Sequence, residues 1–191
     1  MIRLYGKDWD RASLSRHVGD IRQIGGAQSV VYDDGPERGV RAIEVRTGTG
    51  FAFTVLPDRG MDFFRAEFQG ASLAWHSPTG PVAPAFFEPQ GLGWLRGFYG
   101  GMLVTCGLTT TGRAGPESDL GIHGRASYTP AYEVSIRQGW EGDRYPIVIR
   151  GRIREAAVFG EYLVLTRTIR TALGESRFTI EDEIENLGHE V

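Results

Sequence analysis

The 191-residue sequence has one cysteine, Cys106, and one lysine, Lys7, and nowhere does it gather five like charges in a row. A single thiol rules out an intrachain disulfide. The opening Met1-Ile2-Arg3-Leu4-Tyr5-Gly6 lacks the apolar stretch of a signal peptide, so a cytoplasmic location is expected. Lys7 lies in no phosphate-binding motif. Gly91, Gly93 and Gly97 lack the spacing of a dinucleotide fingerprint, so no nucleotide cofactor is expected. No apolar run approaches the roughly 18 residues that cross a bilayer. A net charge of -3 without a basic cluster argues against nucleic acid or an anionic membrane as partner. What is abundant is glycine, 27 residues, with 9 prolines, which argues against a long helical bundle. Apolar residues make up 41% of the chain and aromatics 11%, enough for one substantial core, and a single domain over 1–191 is the default.

Leu14, Val18 and Ile21 recur at helical spacing and predict one short helix between Asp10 and Ile24, with Asp10 or Ser13 as N-cap and Gly25-Gly26 as stop. Alternation then predicts strands over Gln28–Asp33, Val40–Arg46, Phe51–Leu56, Phe63–Phe68 and Ser72–Trp75. From Ser77 to Gly121 no period holds, and functional loops around a short strand at Met102–Thr105 are expected. Regular alternation returns over Tyr132–Gln138, Tyr145–Ile153, Glu161–Thr171 and Arg177–Asn186. Arg150, Arg152 and Arg154 share one face of their strand, and Glu181, Glu183 and Glu185 share one face of theirs. Cross-strand pairing of the two rows is plausible. The pattern predicts a large antiparallel β-sandwich.

Four histidines are present: His17, His76, His123 and His189. No pair has short-range metal-ligand spacing, so no metal is expected. His17 and His189 read as surface residues, and Cys106 as a small buried thiol in an apolar strand. His123 stands between glycines in Gly121-Ile122-His123-Gly124-Arg125, where an imidazole can exchange a proton near neutral pH or merely fix a turn. His76 follows Trp75, a pairing that suits the apolar face and hydroxyl rim of a sugar, or any sheet edge. In Leu56-Pro57-Asp58-Arg59-Gly60-Met61-Asp62, Arg59 either offers a fork of donors to hydroxyls or closes a clamp with Asp58. Trp94-Leu95-Arg96 adds a second aromatic and cation pair.

Five ordered segments carry a resemblance: the Leu56–Asp62 turn, Trp75-His76-Ser77-Pro78-Thr79-Gly80, Gly93-Trp94-Leu95-Arg96-Gly97-Phe98-Tyr99-Gly100-Gly101, Val104-Thr105-Cys106-Gly107-Leu108 and Ile122-His123-Gly124-Arg125. Together they resemble the aldose 1-epimerase-like family, in its DUF4432 branch. The resemblance implies a galactose mutarotase-like supersandwich that binds a hexose or related sugar and interconverts its anomers. It implies Arg59 and His123 as sugar-holding groups; with the residue reading above, His123 is the catalytic candidate and His76, Trp94, Arg96, Arg125 and Asp58 are the expected substrate-binding residues around it. In that family a later histidine protonates the ring oxygen and a still later glutamate removes the anomeric proton. Here the strand ending Glu183-Ile184-Glu185-Asn186 resembles the family's mid-chain strand, which implies that the acid and base would follow it. Three expectations stay open: a piece of a longer protein, a sandwich completed by a second copy or partner chain, or a reduced sandwich that binds sugar without turning it over.

Overall fold

The computed structural model describes residues 1–113, 115 and 121–188. The N-terminal strands β1 (Ile2–Leu4) and β2 (Lys7–Trp9) form a hairpin, followed by one helix, α1 (Arg11–Ser15). Asp10 is its N-cap and accepts from the Ser13 N–H at 2.6 Å. The expected helix is shorter than its apolar spacing suggested. Asp20 accepts the Arg22 N–H at 2.9 Å and starts a separate 3-10 turn at Ile21–Gln23.

Strands β3 (Gly26–Val31), β4 (Arg41–Arg46), β5 (Phe51–Leu56), β6 (Asp62–Phe68) and β7 (Ala71–Ser72) form a five-stranded antiparallel meander. The short strands β8 (Trp75–His76) and β9 (Gly100–Gly101) pair with each other. Strands β10 (Tyr132–Gln138), β11 (Pro146–Ala156), β12 (Tyr162–Ala172) and β13 (Thr179–Asn186) form a second meander. The strand expected at Met102–Thr105 is not formed. Leu103 makes one bridge to Phe63, after which the Asp62 carboxylate holds the Thr105 N–H at 2.9 Å in place of a ladder.

The two meanders pack face to face, as alternation requires. Ile43, Val45, Phe53, Val55 and Phe63 from the first meet Ile147, Ile149, Ile153, Leu165 and Ile169 from the second. Phe178 lies among Phe51, Phe53 and Phe63, with ring centroids 4.6–6.0 Å apart. Gly151 occupies an inward register of β11 between Ile149 and Ile153. Met61 fills the space above it, where a Cβ would come within 2.9 Å of its sulfur.

One side of the sandwich is stitched by Gln138, which accepts the Ala27 N–H at 2.8 Å and donates to the Ala27 carbonyl at 2.9 Å. On the other side β13 is the outer strand among the described residues, and its Ile184 is 60% exposed. The arginine and glutamate rows do not sit on neighbouring strands, because β12 runs between β11 and β13. Among the described residues Arg152 alone of its row reaches across, to Glu185 at 3.4 Å.

The long irregular segment covers the outer face of the first sheet. Tyr99 joins Val40, Ala42, Leu56 and Phe64 in one buried cluster, and Trp94, Val82 and Tyr128 form another.

Candidate functional site

The turn between β5 and β6 is buried from end to end. Arg59 is 1% exposed, and its guanidinium donates to three carbonyls: Ser127 at 2.8 Å, Val82 at 2.8 Å and Gly97 at 2.9 Å. Tyr128 lies 3.9 Å and Tyr99 5.0 Å from its central carbon, and burial pulls its pKa below the usual arginine value. The donors expected to meet a ligand are here turned to the protein's own carbonyls. The side chain ties three loop segments together from inside. Asp58 does not clamp Arg59 either. It holds Arg41, through the backbone N–H and Nε at 2.8 Å each and Nη2 at 2.5 Å. Arg41 in turn donates to the Ala131 carbonyl at 3.0 Å.

The same turn positions the segment that carries His123. Gly60 packs so closely on Ala126 that a Cβ would lie 2.6 Å from the Ala126 carbonyl oxygen. His123 is half-buried with φ +66°, followed by Gly124 at +65°, so the chain bends through two left-handed residues. Its N–H donates to the Gly112 carbonyl at 2.7 Å, and the Gly112 N–H donates to its Nδ1 at 3.0 Å. With Nδ1 accepting, the neutral ring carries its proton on Nε2. The ring rests 4.6 Å from Trp94, which is 3% exposed and whose carbonyl accepts the Tyr128 hydroxyl at 2.6 Å. Trp94 therefore backs the imidazole; it does not line an open cleft.

Three charged side chains hold this region: Asp62, the second acid of the Leu56–Asp62 motif, and two that the sequence patterns did not single out, Glu155 and Arg167. Glu155, 3% exposed, accepts the Leu108 N–H at 2.9 Å and the Thr109 hydroxyl at 2.6 Å, propping the loop that reaches Gly112. Asp62 is fully buried; it accepts from the Thr105 hydroxyl and faces Arg167 at 3.3 Å. Burial raises its pKa to about 6 against the opposing pull of Arg167. Arg167 makes a two-pronged contact with Asp182, at 2.8 and 2.7 Å, and donates to Thr105 at 2.8 Å. A signal was present for Glu155 and Arg167, which fall in inward registers that otherwise hold Ile147, Ile149, Gly151 and Ile153 on β11 and Leu163, Leu165, Ile169 and Thr171 on β12.

The other candidates lie at the surface. Arg96 is exposed and pairs with Glu88 at 3.2 Å, and Arg125 is exposed beside His123. His76 is exposed, its ring set edge-on to Phe64 at 5.0 Å. Arg59, Trp94 and His123 are thus joined through Tyr128, while His76 connects to Arg59 through Phe64 and Tyr99. Asp58 faces away, toward β4. Cys106 is half-buried with φ +68°, and burial raises its thiol pKa. His189 lies outside the described residues. A separate groove of about 230 Å³ on the first sheet is lined by Gln28, Glu44, Arg46, Thr54, Arg65 and Glu67.

Comparison with solved structures places this architecture. A proposed aldose 1-epimerase from Klebsiella pneumoniae subsp. pneumoniae MGH 78578 superposes with a TM-score of 0.78 at 30% identity, over 85% of this chain and 43% of that one. This chain thus spans less than half the length of that protein. Galactose 1-epimerase from Lactobacillus acidophilus NCFM matches at 15% identity and a TM-score of 0.43, over 76% of this chain and 44% of that one. No curated protein matches the chain. The fold is an antiparallel sandwich of the galactose mutarotase-like kind, as the five motifs implied. The profile of a domain of unknown function, DUF4432, matches residues 37–191, and the chain belongs to that family.

Proposed function

We propose that this chain is the sugar-recognising part of an aldose 1-epimerase-like protein, and that His123 is the group that meets the sugar. The observation carrying this reading is the imidazole held between Gly112 and Trp94, with Nδ1 occupied and the Nε2 proton left as its donor. Anomer interconversion requires a base at the anomeric hydroxyl and an acid at the ring oxygen. A donor fixed by backbone contacts keeps the sugar oriented while the ring opens and recloses. On this reading the exposed Arg125 and Arg96 meet hydroxyls from the rim, whereas Arg59, Asp58 and Trp94 act by holding the loops.

The occupied Nδ1 also favours a second reading, recognition without turnover. With Nδ1 accepting the Gly112 N–H, Nε2 is the ring atom that presents a hydrogen-bond donor, an arrangement that suits holding a hydroxyl.

Exchange NMR of galactose and glucose anomers, with backbone shift mapping, tests both. The expected result is shifts at His123, Gly112 and Arg125, lost in His123→Asn, which removes the ring yet tolerates the left-handed backbone. Accelerated anomer exchange supports turnover, and shifts without acceleration support recognition alone. Shifts confined to Gln28, Glu44 and Thr54 would transfer the site to the other groove.

A further inference from the structure

Of the tryptophans, Trp94 packs inside, whereas Trp75 is 63% exposed. An indole left this open forgoes a large share of the burial that usually governs where tryptophan sits. Yet its position is tightly defined. Trp75 lies on β8, paired with Gly101, and its ring covers the bare backbone of Gly100. A Cβ at Gly100 would lie 2.6 Å from the indole Cε3, and the glycine φ of +79° also disfavours any side chain there. Phe98 flanks the indole at 6.0 Å, stacks on Trp94 at 5.0 Å, and Trp94 touches His123 at 4.6 Å. A continuous row of rings therefore runs from the exposed indole to the candidate imidazole.

We infer that Trp75 is a stacking platform for the apolar C–H face of a pyranose, a second contact region continuous with His123 through Phe98 and Trp94. The inference rests on the sugar-recognition reading above and adds a residue to it. A ring backed by glycine backbone and left open to solvent suits a flat, neutral ligand face. Its fixed position means that little side-chain freedom is lost on binding. The sugar's hydroxyl rim stays free for donors elsewhere.

The probe is methyl β-D-galactopyranoside, which cannot open its ring, so binding is read apart from turnover. The expected result is saturation transfer to the sugar C–H protons and a shift of the Trp75 indole resonances. Trp75→Ala should weaken binding by about two- to tenfold, the range of an aromatic contact, and Trp75→Tyr should restore most of it. A thermal melt of each variant checks folding. Unchanged affinity in Trp75→Ala, with His123→Asn still impaired, overturns the platform and leaves the sugar reading standing. Absence of binding by the glycoside, galactose and glucose overturns both. If light scattering instead finds a self-associated chain that Trp75→Ala converts to monomer, with sugar affinity unmoved, the indole belongs to an interface between copies and the inference fails.

Discussion

The two packed sheets and the loop region beside them are held by different chemistry. In the sheets, main-chain groups are met by the ladder and apolar side chains fill the interior. Among the described residues between Ser77 and Thr129 the ladder is almost absent, and charged side chains take its place. Arg59 gathers three carbonyls, Asp62 and Glu155 gather N–H and hydroxyl donors, and all three side chains are at most 3% exposed. An irregular segment that packs against a core must satisfy its backbone with something, and here buried ions do it. A sheet residue contributes in proportion to buried area, whereas a loop clamp acts all at once when its charge is removed.

That contrast is sharpest at Arg59. Replacing Arg59 by Ala leaves three buried carbonyls without donors and opens a cavity between Tyr99 and Tyr128. The expected loss is on the order of 4 kcal/mol, a fall in Tm of about 10 °C or more. Ile149→Val, in the middle of the sheet core, should cost about 1 kcal/mol. Thermal melts of the two variants measure the difference. If Arg59→Ala proved as mild as Ile149→Val, the loops would not depend on the buried cation and the contrast would collapse.

Asp62 gives an intermediate test with a pH signature. Its folded pKa, about 6, stands above the ordinary carboxylate value of 3.8 because it is buried. Between those values the folded state binds the proton more tightly than the unfolded chain. The associated stabilisation is therefore complete below about pH 4 and lost as pH rises through 6, to a total of roughly 3 kcal/mol. Asp62→Asn removes this titration, so its stability relative to the parent should rise across that window. Urea unfolding at pH 4.5 and 7 reads the change. Parallel curves would mean that Arg167 compensates the charge fully and that the clamp behaves like an ordinary surface pair.

The same division explains what could be read from the sequence. Strand β5 was legible residue for residue, because Phe51, Phe53 and Val55 alternate with no competing pattern. The four later strands were legible to within a few residues for the same reason. The clamps were not. Arg59 looked like a ligand-binding group because nothing local reveals that Val82, Gly97 and Ser127, 23 to 68 residues away, would bring their carbonyls to it. Trp94, expected at the cleft, packs behind His123 through the same kind of long-range contact. The site was legible as a set of motifs, but whether a side chain faces ligand or protein is set by long-range packing.

Arg96 supplies the smallest and most discriminating perturbation. Its pair with Glu88 spans 3.2 Å between side chains that are 75% and 58% exposed, so water and salt screen most of the attraction. Arg96→Ala should move the folding free energy by no more than ~0.5 kcal/mol. Any change in galactose affinity must then come from a lost contact with the sugar, since the fold is left intact. Weaker binding at constant Tm would put one cation of the loop region in the recognition surface, with a role opposite to that of Arg59 from an identical side chain. Unchanged affinity would confine recognition to His123, Arg125 and the aromatic row, and would make burial the feature that separates structural from idle arginines in this part of the chain.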